Sequence, residues 1–261
     1  MEPHANAGEG GGPSFPVLIQ KADRQGLAAL VEEHLKVLDP VAAVAALRHP
    51  FASKDVIEAI ASSRKLMSVR SVRKAIALHP LSPRHVALLC LLDLTWRDLL
   101  DVGRETRVTM PVRRLANEKL REKLEKLSVG EKISLARLAD RSLHPRLLEE
   151  PGTSVLSALL RNTRLLAEDL LTWMAIGNPE PAQLALLGQD KEWSRRVDVR
   201  EALLKHPSTP RAIALALLPR ASRAEWRSLS QDPRVHPLLA ACAADLLEAP
   251  PRFRKIAAAR E

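Results

Sequence analysis

The chain has 261 residues, 46% of them hydrophobic and 27% charged, with a formal net charge of +9. Aromatics are only 3%, Tyr is absent and Gly is sparse, so a β-rich fold is excluded in favour of close-packed helices rich in Leu and Ala. The two cysteines, Cys90 and Cys242, lie in apolar runs and read as buried free thiols. With no disulfide framework, signal peptide or long apolar span, the expectation is a cytoplasmic monomer with no membrane partner.

In chain order, residues 1–16 contain GEGGGP and read as a disordered tail. An N-terminal helical repeat block is expected over 17–103. Its first helix, 17–38, presents Leu27, Leu30, Val31, His34, Leu35 and Leu38 on one side and ends at Asp39-Pro40. VAAVAALR predicts a second helix, stopped by His49-Pro50, and Ser53 caps a third carrying Val56, Ile57 and Ile60. Residues 62–68 read as a connector. The stretch VRKAIALHPLSPRHVALLCL, Val72–Leu91, then predicts helix, turn, helix: Val72, Ala75, Ile76 and His79 share one face, and Pro80 stops it. Ser82 is expected as the next N-cap, with Pro83 at the first helical position. TWRDLLD, from Thr95, closes the block.

Residues 104–140 read as basic connector helices, with Ala116, Leu120, Leu124 and Leu127 on the apolar side and a Ser128–Glu131 capping box opening the second. A C-terminal repeat block is expected over 141–250. There Val199–Leu218, VREALLKHPSTPRAIALALL, copies Val72–Leu91 at an offset of 127. LLRNTRLLAEDLL (159–171) is read against LRHPFASKDVI (47–57) at offsets of 113 and 114, which implies about 13 extra residues, an added helix–turn–helix unit around Trp173–Leu187. Trp96-Arg97 is aligned with Trp226-Arg227, and Trp193 takes the slot of Leu66. Residues 251–261 form a basic tail.

The pattern L-x-x-[HN]-P-x-T-P with a preceding V-R-x-A-L resembles the leucine-rich repeat variant and HEAT-like α-solenoids of bacteria. The order of Val129–Ile133, Glu168–Leu171, Glu192-Trp193 and Val199–Pro210 is similar to a group of such proteins without assigned activity, over roughly residues 41–247. The resemblance implies an all-α, right-handed superhelical solenoid of short helix–turn–helix repeats. One leucine-rich repeat variant protein carries an iron–sulfur module, and the absence of a cysteine cluster here keeps that from carrying over.

No phosphate-binding loop, HExxH, CxxC or nucleophile elbow is present, so neither catalysis nor a cofactor is expected. Five histidines at turns, His49, His79, His144, His206 and His236, read as helix terminators that interact with the last carbonyls rather than as metal ligands. Basic residues recur at helix starts: Arg70, Arg73 and Arg84 in the first block, Arg195, Arg196, Arg200 and Arg211 in the second. They suggest a ridge facing an acidic protein partner or nucleic acid, or equally pairing with nearby Asp and Glu within the stack. Trp173 is the least constrained Trp and joins them as a stacking candidate. The leading expectation is a non-enzymatic protein-binding scaffold using the solenoid's concave face. Its alternative is a nucleic-acid-binding repeat protein, with a HEAT-like DNA glycosylase using residues such as Asp93, Trp96 and Arg97 as the enzymatic variant.

Overall fold

A computed structural model describes residues 18, 19 and 21–248. The tails expected at 1–16 and 251–261 lie outside the described residues. Among the described residues the chain is all helical, with no strand. Among the described residues no helix is long and apolar enough to cross a membrane.

The chain forms two compact units, divided between Glu125 and Lys126. The division falls within the stretch read as connector helices. The first unit contains α1 (Arg24–His34), α2 (Pro40–Arg48), α3 (Lys54–Ser62), α4 (Arg64–Met67), α5 (Arg70–Leu78), α6 (Arg84–Cys90), α7 (Trp96–Arg104) and α8 (Met110–Leu124). Within it α2 packs on α5 and α5 on α7, while α1 packs on α3 and α6 on α8. Two rows of short helices therefore bury each other's apolar stripes. The second unit contains α9 (Val129–Ala136), α10 (His144–Leu148), α11 (Ser154–Leu159), α12 (Ala167–Ile176) and α13 (Pro181–Gln189). It continues with α14 (Lys191–Ser194), α15 (Val197–Lys205), α16 (Arg211–Leu217), α17 (Arg223–Gln231) and α18 (Pro237–Glu248). Here α10 packs on α12, α12 on α15 and α15 on α17, with α13 on α16 beside them.

The structure corrects the register of the duplication. Every helix from α2 to α7 recurs 127 residues later: 40 to 167, 54 to 181, 64 to 191, 70 to 197, 84 to 211 and 96 to 223. The starts of α8 and α18, 110 and 237, keep the same spacing. There is thus no 13-residue insertion and no added unit around Trp173–Leu187; α12 and α13 are the copies of α2 and α3. The core agrees. Ile57 and Leu184, Val72 and Val199, Ile76 and Leu203, Val112 and Leu239, and Ala116 and Ala243 are buried pairs at this offset. Trp226 accordingly answers Leu99, not Trp96; it is buried and donates its indole N–H to the Leu218 carbonyl at 2.7 Å. Trp193 does answer Leu66.

Caps set the element boundaries, and some differ from expectation. The first helix does not run unbroken to Leu38. Asp23 accepts from the Gly26 N–H at 2.7 Å and starts α1, and Asp39 opens α2 by accepting from the Ala42 N–H at 2.7 Å. Ser63 caps α4 where a connector was expected, and Asp190 repeats that cap for α14. Thr95, Ser128 and Ser222 form capping boxes with Asp98, Glu131 and Glu225. Ser82 and Thr209 cap nothing: their buried hydroxyls make no hydrogen bond, and Pro83 and Pro210 themselves occupy the N-cap positions. Cys90 is buried, its thiol pushed up to about 11 by desolvation, whereas Cys242 is only half-buried; both are free.

Candidate binding grooves

The basic residues singled out at helix starts fall into two groups. In a helix–turn–helix the start of the second helix lies beside the end of the first. Arg84 and Arg211 therefore sit at the turn end. Arg70, Arg195 and Arg196 sit a helix length away, about 13 Å for nine residues at 1.5 Å each, and Arg73 and Arg200 about 9 Å from the turn.

Most of the second group is paired with neighbouring acids, although only Arg200 is buried. The Arg200 guanidinium is buried and meets Glu225 as a fork, Nε to Oε1 at 3.0 Å and Nη2 to Oε2 at 2.9 Å, while Nη1 donates to the Arg195 carbonyl at 3.2 Å. Arg73 donates to Asp93 at 2.5 Å, and Arg70 lies 3.5 Å from Asp98, which also holds Lys74 at 3.0 Å. Arg196 pairs with Asp198 at 3.2 Å; Arg195 is exposed. Desolvation would raise the Glu225 carboxyl, but the Arg200 guanidinium and hydrogen bonds from Ser222 hold it below the usual range. Trp173 is 5% exposed, so its ring offers no face to a base. Trp96 is likewise buried, with the Arg97 guanidinium 5.1 Å from its ring centroid.

The histidines act differently from expectation. At His49, His79, His206 and His236 the ring Nδ1 accepts the backbone N–H two residues on, at 3.1–3.2 Å. The intervening residue is Pro, which has no N–H, so the first donor the turn offers is the next one. Each ring closes the turn as an acceptor and is not bound to the helix's last carbonyls through Nδ1. His144 is a separate case: it begins α10, fully buried, with Nδ1 3.2 Å from Asp169. Among the described residues no group of three His, Cys, Asp or Glu side chains could hold a metal ion.

These turns wall a groove in each unit. In the first, a cavity of about 520 Å³ is lined by Val44, Leu47 and Ala75 on its apolar side, by the His49-Pro50 and His79-Pro80 turns, and by Arg48, Lys74, Glu105 and Arg107. In the second, a cavity of about 480 Å³ is lined by Leu171, Met174, Ala175, Ala202, Lys205, His206, Pro207 and Arg234. Each of those eight stands 127 residues after a lining residue of the first groove: 44, 47, 48, 75, 78, 79, 80 and 107. The rim cation is held the same way in both. Arg107 folds back on Glu105, with Nε to Oε1 at 3.0 Å, and Arg234 on Asp232, with Nε to Oδ1 at 3.1 Å. In each, the same carboxylate also accepts the arginine's own backbone N–H. These bonds from Arg234 pull the Asp232 carboxyl down to about 2. A further cavity of about 400 Å³ adjoins the second groove and brings Arg211 and His236 beside Lys205 and Arg234.

The structure thus brings Arg211 into the cavity beside the second groove and leaves Arg84 outside the lining of the first. Sequence reading missed Arg48, Lys74, Arg107, Lys205 and Arg234. The recurring Glu105-x-Arg107 and Asp232-x-Arg234, offset by 127, was the signal that could have found the rim. No protein-family model matches the chain, and neither a curated protein nor a solved structure matches it significantly.

Proposed function

We propose that this chain is a non-enzymatic protein-binding scaffold, an α-solenoid of the HEAT-like or leucine-rich-repeat-variant type, whose grooves at the His-Pro turns receive an acidic partner. The observation that carries the reading is the groove that recurs, residue for residue, in both copies with a cationic rim. Apolar floor, turn and fixed guanidinium suit a side chain flanked by carboxylates.

The test compares two probes by fluorescence anisotropy at physiological salt: a labelled short Glu/Asp peptide carrying leucines, and labelled duplex and single-stranded DNA and RNA. The expected result is saturable peptide binding that Arg107→Glu with Arg234→Glu removes, and nucleic-acid binding that vanishes at modest salt. Nucleic-acid binding that persists at physiological salt and ignores those substitutions would overturn the scaffold reading.

A further inference from the structure

We infer that the segment Pro13–Pro16 docks on the face of the first unit made by Leu35, Val37 and Val41. The inference stands apart from the grooves and does not depend on what they bind.

The duplication carries it. At the start of the second unit, three positions hold the chain between Ala136 and Arg141. Asn162 donates to the Ala136 carbonyl at 2.8 Å and to the Ala139 carbonyl at 3.0 Å. Arg164 pairs with Asp140, and Arg141 donates to Glu168 at 2.5 Å. The offset of 127 that aligns α2 with α12 puts Leu35, Val37 and Val41 at those three positions. The buried pair Leu38 and Leu165 lies among them and fixes the register. All three polar groups have thus become apolar, yet Leu35 is only half-buried, Val37 is 75% exposed and Val41 78%. Among the described residues, only Ile176 is a more exposed large apolar side chain.

The same offset names what covers this face. Asp140 and Arg141 correspond to Pro13 and Ser14, so both of their charges are missing together with those of Arg164 and Glu168. A contact that had simply been lost would leave its two sides free to change separately. Here both sides changed in step, from ion pairs to uncharged groups, as a retained contact requires. Beside Pro13 and Ser14 stands Phe15, the only large apolar side chain between residues 2 and 16. Laid on two exposed valines, it removes apolar surface from water on both partners. The path of the chain agrees. Residues 18, 19 and 21 are helical, and Ile19 is buried, as α10 buries Leu147 and Leu148. This helix ends at Lys21 and α10 at Leu148, again 127 apart. Next, α1 begins three residues earlier than α11 on that offset, and the connection before it is shorter by the same three. Residues 13–16 therefore precede their helix as residues 140–143 precede α10. The tail read as disordered from its GEGGGP composition ends, on this inference, before Pro13.

Nuclear Overhauser spectra of the full chain, with labelled valine methyls and phenylalanine rings, test this. With only three Phe in the sequence, Phe15 is identified by its loss in Phe15→Ala. Cross-peaks from the Phe15 ring to the Val37 and Val41 methyls are expected. Phe15→Ala should remove them and shift both sets of methyl resonances, with far-ultraviolet circular dichroism unchanged. Val37→Arg should weaken the remaining Phe15–Val41 peaks, and adding Pro13→Asp, which recreates the Asp140–Arg164 pair, should restore them. Absence of the cross-peaks from the wild-type chain, or valine methyls that do not respond to Phe15→Ala, would overturn the inference. So would methyl resonances that move with protein concentration and not with Phe15→Ala, because a second copy would then be the cover.

Discussion

Glu225 shows how much a single residue carries here. It caps α17 through the Ser222 N–H at 2.7 Å and holds a buried Arg200 at the same time. Removing one member of a buried ion pair leaves an uncompensated charge, which costs about 3–5 kcal/mol. Arg200→Met should therefore lower stability by about that amount in urea titration while leaving peptide binding intact; a loss below about 1 kcal/mol would mean Glu225 finds water. Ser222-x-x-Glu225 has the same spacing as the Ser128–Glu131 box read from the sequence, but the Arg200 partner has no such local signature. Arg73 and Arg200 occupy the same slot of the two copies, yet one binds Asp93 and the other Glu225. That choice depends on the packing of α15 against α17, which local sequence does not encode. The His-Pro rings lead to a pH prediction. Desolvation lowers the His79 and His206 pKa values, and in His79 the nearby Arg107 adds to this. A lowered folded value means the unfolded chain binds more protons, so stability rises with pH. It should be fully present above the ordinary value of about 6.5 and be lost as pH falls from there through the folded values. Thermal unfolding followed from pH 8 to 5 should show a falling Tm that is flattened by His79→Gln with His206→Gln; an unchanged slope would exclude these rings as its source.

At the scale of the helices, the two copies solve one packing problem in two ways. Gly188 on α13 lies against Ile213 on α16, and a Cβ there would collide with the isoleucine's γ2 methyl. The equivalent positions in the first copy are Ala61 and Val86. One methyl group has moved across the pair, keeping total volume constant, which is the kind of exchange a close-packed core tolerates. Gly188→Ala alone should thus destabilise by about 1–3 kcal/mol despite its better helix propensity. Ile213→Val alone should cost about 0.5–1.5 kcal/mol, and the double substitution should recover most of the loss. Additive losses in the double-mutant cycle would show that the two sites do not share the contact. The exchange also explains why the register of the duplication was misread. Leu- and Ala-rich stripes with a 3.6-residue period align at several offsets, and few identities discriminate among them. Asn162 deepened the ambiguity, because its Oδ1 accepts the Arg164 N–H as the His49 ring accepts that of Phe51. The turn chemistry was shared while the position in the repeat was not. Helix existence and the caps at Ser53 and Ser128 were readable, since each follows from neighbouring residues; the grooves needed α2, α5 and the loop at Glu105 brought together, which no local pattern announces.

On the scale of the whole chain, the offset of 127 residues and the division at Glu125 and Lys126 express one fact. If the repeating object is a unit of about that length, the first copy closes with α8 and the second opens soon after. The helices on either side of the division behave accordingly: α8 packs on α7 in the first unit and α9 on α11 in the second. Each unit has its own buried row, from Ile19 to Leu124 in one and from Leu135 to Ala243 in the other. At roughly 125 residues each is within the range in which a single hydrophobic core sustains independent folding. Fragments 1–125 and 126–261 should therefore each be helical and unfold cooperatively, and the mean of their circular dichroism spectra, weighted by length, should reproduce that of the full chain. The shorter cores should melt cooperatively but with smaller enthalpies, because unfolding enthalpy scales with the number of residues ordered. A fragment that lacks a cooperative transition would show that its core is completed by the other copy, and the duplication would then have to be read as one continuous array rather than two folding units.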